Sequence, residues 1–335
     1  MPSLEVILAG SLLFSLTLYV LTGGADYGGG VWDLLAWGPR AKAQRDLIAK
    51  AIGPIWEANH VWLILVIVIL FTGFPNAFAA IATALHIPLT LMLIGIVLRG
   101  SAFAFRTYDP KEEERRRWGH AFAIASLITP VLLGVTLGAI MSGEIRMENG
   151  YVTTGFVHSW FALFPFAVGV FALVMFAFLA AVYLTLETED RDLREDFRKR
   201  AIVSGVAVGI MAITVFVLSE GGAPLMQSGL GENKLLLPLE IATVVLALGA
   251  LILLWKRRFL IGAACAAAQV TLILWGWAIA QFPYLVVPDI TVFNSAAPQA
   301  TLRLLVSALF VGALLLFPSF YYLFRVFKSK PGPTD

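Results

Sequence analysis

The chain has 335 residues, of which 59% are hydrophobic and only 14% are charged, and its mean hydropathy is +0.84. A soluble domain of this size could not bury so much apolar surface, so the composition excludes a soluble globular protein and indicates an all-α, polytopic membrane protein. The net charge of +2 gives no indication of a nucleic-acid partner, and the single cysteine excludes an intrachain disulfide and a cysteine-based metal site.

Apolar runs of about 20 residues, each long enough to cross the hydrocarbon core of a bilayer, recur along the whole chain. The sequence begins with MPSLEV, which holds an acid and no basic residue, so we expect the first run to be retained rather than cleaved as a signal peptide. The pattern predicts nine transmembrane helices, at 4–37, 47–72, 78–106, 118–141, 158–185, 201–219, 235–255, 259–282 and 302–326.

No soluble insertion interrupts these spans, so we expect a single integral-membrane domain. The spans divide into two four-helix bundles and one peripheral helix. The expected ranges are 1–335 for the domain, 1–141 for the first bundle, 158–282 for the second bundle and 302–326 for the last helix.

The positions of lysine and arginine predict the orientation of the chain. Of the 24 basic residues, 21 fall in five segments, at the ends of spans 1, 3, 5 and 7 with the connections that follow them and in the C-terminal tail. The remaining three are Arg146, Lys234 and Arg303, which fall on the opposite side. We therefore expect the N-terminus outside, the C-terminus in the cytoplasm and the protein in a prokaryotic cytoplasmic membrane.

Glycines mark the places where helices are expected to approach one another closely. Gly134 and Gly138, and likewise Gly205 and Gly209, have the small-xxx-small spacing that allows close packing of transmembrane helices. The run at 28–30 would let either a neighbouring helix or a porphyrin reach the backbone.

Two acidic side chains lie inside the first two predicted spans, Asp26 in GADYGGG and Glu57 in IGPIWEANHVW. A charged group at membrane depth costs at least about 2.5 kcal/mol, so such residues rarely lie there without a function. Asp26 and Glu57 are equally distant from the middle of the connecting loop, so an antiparallel hairpin places them at one depth, about 15 Å from the cytoplasmic turn. We expect them to form one buried proton-relay site. The alternative is that Asp26 marks a helix end and Glu57 caps the next helix.

Three further residues of the second segment, Trp56, Asn59 and His60, are expected to support this site. Trp56 and the nearby Trp62 fit either interfacial anchors or the rim of a cofactor pocket. His60 and His120 are predicted near cytoplasmic ends, and His86 and His158 are predicted toward the outside. Matched depth within either pair would permit haem ligation by two imidazoles. A histidine satisfied by its surroundings is the commoner case.

The third predicted span ends in two arginines, Arg99 and Arg106, which are seven residues apart and therefore share a helix face. Both fit simple anchoring on the positive-inside rule. The alternative hypothesis is that Arg99, which lies deeper, pairs with an acid or a haem propionate of a partner protein.

Four segments of the chain, in order, resemble subunit II of the cytochrome bd-type terminal oxidases. The first is GADYGGG, and the second is the stretch from Pro54 to Leu63, PIWEANHVWL. The third is LRGSAFAFR at Leu98–Arg106, and the fourth is AQFPYLVVPDITVFNSAAPQATL at Ala280–Leu302. A single motif of this kind would be weak evidence, whereas four in order across the chain are specific.

The resemblance implies a subunit of a quinol:oxygen oxidoreductase. Such a subunit pairs with a haem-bearing subunit I, and the pair oxidises quinol on the outer side and reduces O₂ to water with protons from the cytoplasm, which generates a proton gradient without pumping. It implies that haems b and d belong to the partner and that this chain ligates no haem and no metal. Quinone and lipids are further expected partners, and the family also allows a small accessory transmembrane subunit.

Some positions depart from the family pattern. Gly23 and Ala104 stand where relatives often have acids, Glu57 replaces a shorter aspartate, and His60 replaces a glutamine or glutamate. A proton entry that uses the missing acids cannot be carried over, and the electron donor of a divergent branch need not be an ordinary quinol.

Two other classes of protein are consistent with buried acids in a helical bundle. A secondary transporter could use Asp26 and Glu57 as its coupling site, although the second half of the chain lacks a matching pair of acids within its spans. A small haem-protein membrane anchor would require paired histidines.

Overall fold

The computed structural model describes residues 3–53, 56–231 and 236–328. Within these ranges the chain forms twelve helices and two short antiparallel hairpins. The helices are α1 (Leu4–Leu34), α2 (Ala41–Ile52), α3 (Trp56–Gly73), α4 (Pro75–Ala84), α5 (His86–Tyr108), α6 (Glu112–Met141), α7 (Leu163–Leu184), α8 (Arg191–Gly222), α9 (Pro224–Gly231), α10 (Leu237–Trp255), α11 (Phe259–Gln281) and α12 (Gln299–Lys328). The strands are β1 (Met147–Glu148), β2 (Tyr151–Val152), β3 (Tyr284–Val286) and β4 (Ile290–Thr291).

Nine of the helices in the described ranges are long and apolar enough to cross a membrane: α1, α3, α5, α6, α7, α8, α10, α11 and α12. The predicted number of spans is therefore confirmed. The remaining three helices, α2, α4 and α9, are short and lie in connections. Most predicted ends fall within a few residues of the observed ones.

The second and third predicted spans each prove to be two helices rather than one. The run predicted at 47–72 is interrupted between α2 and α3, where Pro54 lies outside the described residues. The run predicted at 78–106 is interrupted at Leu85, between α4 and α5. Pro88 lacks the backbone N–H that would bond the carbonyl of residue 84, which explains the interruption because a continuous helix needs that bond. The periodicity of apolar residues continued across both interruptions and concealed them.

The three consecutive glycines of α1 admit three different helices. A Cβ on Gly28 would lie 2.0 Å from the carbonyl oxygen of Phe176 in α7, one on Gly29 would lie 2.6 Å from Ile52 of α2, and one on Gly30 would lie 2.2 Å from Ser126 of α6. Of the two partners expected for this run, the neighbouring helix is the one observed.

The other glycine pairs gave one correct prediction and one that holds in part. Gly134 and Gly138 of α6 lie against α7, where an added Cβ would lie 2.6 Å from Gly169 and 2.6 Å from Pro165, respectively. Gly205 lies against α10, but a Cβ on Gly209 would have nothing within 4 Å. Spacing alone does not tell which face of a helix meets a neighbour.

One apolar core joins the two predicted bundles. Its buried residues include Tyr27 and Val31 of α1, Phe176 and Leu179 of α7, and Val270 of α11, so both halves contribute to it. The indole N–H of Trp32 also donates to the carbonyl oxygen of Ala177 at 2.7 Å, which ties α1 to α7.

The two hairpins cover one end of the bundle and are joined by a single carboxylate. Asp289, next to β4, accepts hydrogen bonds from the Arg146 guanidinium at 3.0 Å and from the backbone N–H of Met147 at 2.9 Å. The positive-inside prediction places this end outside.

Candidate functional site

Asp26 is the buried acid of the candidate site. It lies in α1 with only 5% of its surface exposed, and the side-chain amide of Asn59 in α3 donates to its Oδ2 atom at 2.7 Å. This contact brings the segment 57–60 to the depth of Asp26, as expected from the position of the loop between them.

The packing around the α1–α3 turn explains this depth. Arg106 of α5 donates to the Asp33 carboxylate at 3.0 Å, and Arg45 donates to the carbonyl oxygen of the same residue at 3.3 Å, at the end of α1 that carries the turn. From there α2 runs back along α1, as the packing of Ile48 and Ile52 against Gly29 shows. Asp26 lies seven residues beyond Asp33, or about 10 Å along the helix axis. The site therefore lies within the bundle and not at its end.

Glu57 does not join Asp26 in a buried pair, so that part of the prediction is wrong within this chain. Its side chain is exposed, and it makes no hydrogen bond or ion pair within the part of the chain that the structure describes. Successive helical residues are rotated by about 100°, so Glu57 and Asn59 project about 200° apart around α3. Asn59 consequently faces α1, whereas Glu57 faces away from it.

Tyr27 connects the other polar groups of the site. The Arg99 guanidinium carbon lies 4.5 Å from the centroid of its ring, and the His60 ring lies edge-on to it at 6.2 Å. Its hydroxyl oxygen lies 3.4 Å from that of Tyr19, which donates to it. Sequence reasoning missed both tyrosines. Their spacing of eight residues, two tyrosines on one side of a transmembrane helix beside an acid, could have indicated them.

Arg99 is enclosed by the chain itself. It is 2% exposed, donates from Nε to the Ser126 hydroxyl at 3.1 Å, and lies between the rings of Tyr27 and Phe122. The hypothesis that Arg99 reaches a partner protein is therefore wrong, and its depth does not fit anchoring at the membrane surface. Arg106, on the same face, pairs with Asp33 instead.

His60 faces the same cluster from α3. Its ring centroid lies 6.0 Å from those of Tyr19 and Trp56, and its Nδ1 atom is buried without a hydrogen-bond partner among the described residues. The same holds for Asn59 Oδ1 and Arg99 Nη2. Buried polar atoms without a hydrogen-bond partner are uncommon in folded proteins, and three of them lie in this site.

The four histidines lie in separate surroundings. His120 and His86 are exposed, and their Nδ1 atoms contact the carbonyl oxygens of Arg116 and Thr83 of their own local segments. His158 lies 3.4 Å from Glu144 at the end with the hairpins. No two of the four histidine rings stack, and the described residues hold no cluster of three His, Cys, Asp or Glu side chains that could bind a metal. This arrangement does not fit haem ligation by two imidazoles.

The two tryptophans of the second segment both serve packing. Trp62 is buried and stacks on Phe320 of α12, with 5.2 Å between ring centroids, so it is not an interfacial anchor. Trp56 is half-buried and lies against Gly100 and Phe103 of α5. It therefore forms part of the wall beside His60.

A charged network outside the membrane-spanning part of α1 holds α2 in place. Arg40 donates two hydrogen bonds to the Asp196 carboxylate, at 2.7 and 2.8 Å, and the Gln44 amide donates to the same carboxylate at 2.9 Å. The Asp196 carboxylate raises the pKa of Arg40, since the hydrogen bond and the opposite charge favour the protonated form. Arg200 joins the network by donating to Gln44 at 2.8 Å.

Comparison with known proteins shows the family of this chain. The family model described as "Cytochrome bd terminal oxidase subunit II" matches residues 4–327. A protein of Bacillus subtilis (strain 168), named as a cytochrome bd menaquinol oxidase subunit II, is 24% identical over 336 residues, which cover 97% of this chain and 96% of that protein. Subunit 2 of the cytochrome bd-I ubiquinol oxidase of Escherichia coli (strain K12) is 28% identical over 41% of this chain and 35% of its own length.

A solved structure shows the same fold. A chain of the bd oxidase from Geobacillus thermodenitrificans superposes with a TM-score of 0.83 at 23% identity, over 97% of this chain and 99% of that chain. Together with the family match over almost the whole length, this decides against the alternatives of a secondary transporter and of a small haem-protein anchor.

Proposed function

Because the chain belongs to the cytochrome bd terminal oxidase subunit II family and is part of a quinol oxidase of the bacterial inner membrane, we propose that it supports a haem-bearing subunit I in reducing O₂ to water. Two quinols would supply the four electrons for each O₂, and four protons would be consumed from the cytoplasm. Quinol would release its own protons outside, so the reaction would build a proton gradient without pumping.

The observation that carries the proton role is the buried carboxylate of Asp26. The enclosed carboxylate accepts a hydrogen bond from the Asn59 amide, where α1 packs against α3. A carboxyl group can bind and release a proton, which is what a relay requires. Asp26 would receive protons from the side of the bundle that carries α2.

Glu57 would act at the surface between the two subunits. A carboxylate that faces lipid at this depth is costly, so the exposed face of α3 that carries Glu57 is better explained as covered by protein. We therefore place subunit I against this face. Glu57 would then carry protons from the Asp26 side toward the partner, with Asn59 on the face of α3 that is turned toward α1.

Arg99 would act through Tyr27 and not through direct contact with a haem. Its positive charge lies inside the cluster, with the guanidinium carbon 4.5 Å from the centroid of the Tyr27 ring. Arg99 is thus a positioning residue. It would hold the rings of Tyr27 and Phe122 in place.

The haems and the site of quinol oxidation would belong to subunit I. Haems b and d, when bound there, supply the electron transfer and oxygen chemistry of the reaction. The histidines of this chain, in their separate surroundings, do not favour a haem here.

The proposal is tested by visible spectra and oxygen consumption of the purified complex. We expect the isolated chain to show no reduced-minus-oxidised haem spectrum, and the complex with subunit I to show b- and d-type bands and quinol-dependent oxygen consumption. A haem spectrum from the isolated chain that disappears in His60→Ala, with His86→Ala as the control, would overturn the assignment of all haems to the partner.

A further inference from the structure

A cavity of about 450 Å³ lies in the second half of the bundle, away from the site of Asp26. Helices α6, α7, α8, α10 and α11 form its walls, and the short helix α9 contributes to one end. The lining is almost wholly apolar, with Phe171, Met175, Leu230 and Leu274 among its side chains. Its volume lies within the range of about 300–1,000 Å³ that is usual for ligand pockets.

The cavity opens sideways between α8 and α10. Ile213 and Phe216 of α8 and Val244 of α10 line it, and all three side chains are also exposed on the outside of the bundle. In a membrane, this outer surface of the bundle faces the hydrocarbon core. The cavity is therefore connected to lipid chains and not to water.

An empty cavity of this kind would be unfavourable, because its lining atoms would lack contacts on one side. Water does not fill such a space, since a bound water needs two to four polar partners and the lining offers few. A flexible hydrocarbon chain that enters from the membrane supplies the missing apolar contacts and needs no polar partners.

One end of the cavity carries a carboxylate. Glu240, in the first turn of α10, is the charged side chain among the described lining residues, and it has no ion pair within the described part of the chain. The first turn of a transmembrane helix lies near the level of lipid head groups. The two other polar lining groups have their donors occupied, since Thr243 donates to the Leu239 carbonyl and Trp277 to the Gln281 amide oxygen.

We propose that this cavity binds a phospholipid with a protonated amine in its head group, whose one acyl chain fills the space between α8 and α10 while the amine lies at Glu240. The carboxylate distinguishes this ligand from an anionic phospholipid, which it would repel, and from a neutral quinone, which it would not select.

The test uses the purified complex in nanodiscs that contain a phosphatidylethanolamine with a photoreactive diazirine in its acyl chain. We expect cross-links to peptides of α8, α10 and α11 around Ala212, Val244 and Leu274. Ala212→Phe fills the cavity and should reduce these cross-links to background. Ala207→Phe, on the same helix but outside the lining, serves as the matched control and should leave them unchanged.

The head-group assignment is tested separately with Glu240→Gln. In the unaltered complex the photoreactive phosphatidylethanolamine should label the cavity several-fold more than the matching phosphatidylglycerol, and Glu240→Gln should remove that difference. Unchanged labelling in Ala212→Phe would overturn the proposal, as would an isoprenoid quinone cross-linked at these peptides in place of the phospholipid. Equal labelling by both phospholipids in the unaltered complex would overturn the role of Glu240.

Discussion

Asp26 and Glu57 have different surroundings, so their neutral variants separate a relay from a structural role. We expect Asp26→Asn in the complex to retain haem content but to lower oxygen consumption per haem by at least about tenfold, because the amide cannot carry a proton in a step where such groups contribute about 10²–10⁴-fold. Glu57→Gln should have a similar effect. The double variant should be scarcely worse than either single one, as for members of one path.

The control for these variants is Asp46→Asn, which changes an exposed acid on α2. It should leave oxygen consumption unchanged. Full turnover in Glu57→Gln would remove Glu57 from the relay, and full turnover in Asp26→Asn would contradict the proton role of the buried site as a whole. Steady-state oxygen uptake, normalised to haem from the visible spectrum, decides between these outcomes.

Arg99 is held by the shape of its guanidinium and not only by its charge. Arg99→Lys keeps the charge but loses the planar group that lies between Tyr27 and Phe122 and donates to Ser126. We expect a loss of about 1–3 kcal/mol in stability, from the cation–π contacts and the charged hydrogen bond. Thermal unfolding of the purified complex, followed by loss of the haem bands, measures it.

Arg106→Lys is the matched control for this variant. Arg106 makes a single ion pair with Asp33 at 3.0 Å and is partly exposed, so a lysine can replace it at little cost. If the two lysine variants unfold at the same temperature, the stacked geometry of Arg99 contributes nothing and charge alone explains its position.

At the scale of helices, the approach of α1 to α7 depends on a residue without a side chain. In Gly28→Ala the new methyl carbon would lie 2.0 Å from a backbone oxygen of α7, so one of the two helices must move. We expect a loss of about 1–3 kcal/mol, as is typical of overpacked cores, and a lower yield of assembled complex. Gel filtration and thermal unfolding of the complex measure both effects.

The same helix provides the control. A Cβ on Gly10 would have nothing within 4 Å, so Gly10→Ala should be neutral or should stabilise the helix by up to about 1 kcal/mol through its higher helix propensity. An equally stable Gly28→Ala would mean that α1 and α7 separate readily, in contradiction to the packing seen here.

At the scale of the whole molecule, the direction of proton uptake depends on orientation, which the distribution of lysine and arginine predicts. A reporter inserted in the β1–β2 turn, at the exposed residues Asn149 and Gly150, should read extracytoplasmic. Reporters at Glu112 and Asp192, at the N-terminal ends of α6 and α8, should read cytoplasmic. The reverse pattern would place the access to Asp26 on the wrong side of the membrane for uptake of cytoplasmic protons.

Hydropathy alone determined the class of the protein and its nine spans, because the cost of exposing apolar or charged groups in a bilayer depends on composition along the chain. Spacing from the loop was also enough to place residues 57–60 level with Asp26, since an antiparallel hairpin converts sequence distance into depth. The family motifs indicated the function, because four of them occur in order along the chain.

Only the tertiary structure decided which side chains meet. Depth is a coordinate along a helix, but contact depends on rotation about the helix axis, so Asn59 reached Asp26 and Glu57 did not. Arg99 was misassigned for the same reason, since its direction depends on how α5 packs against α1 and α6. The division of the second and third predicted spans into two helices each escaped hydropathy because apolar residues continue across both places, although Pro88 lacks the N–H that a continuous third helix needs.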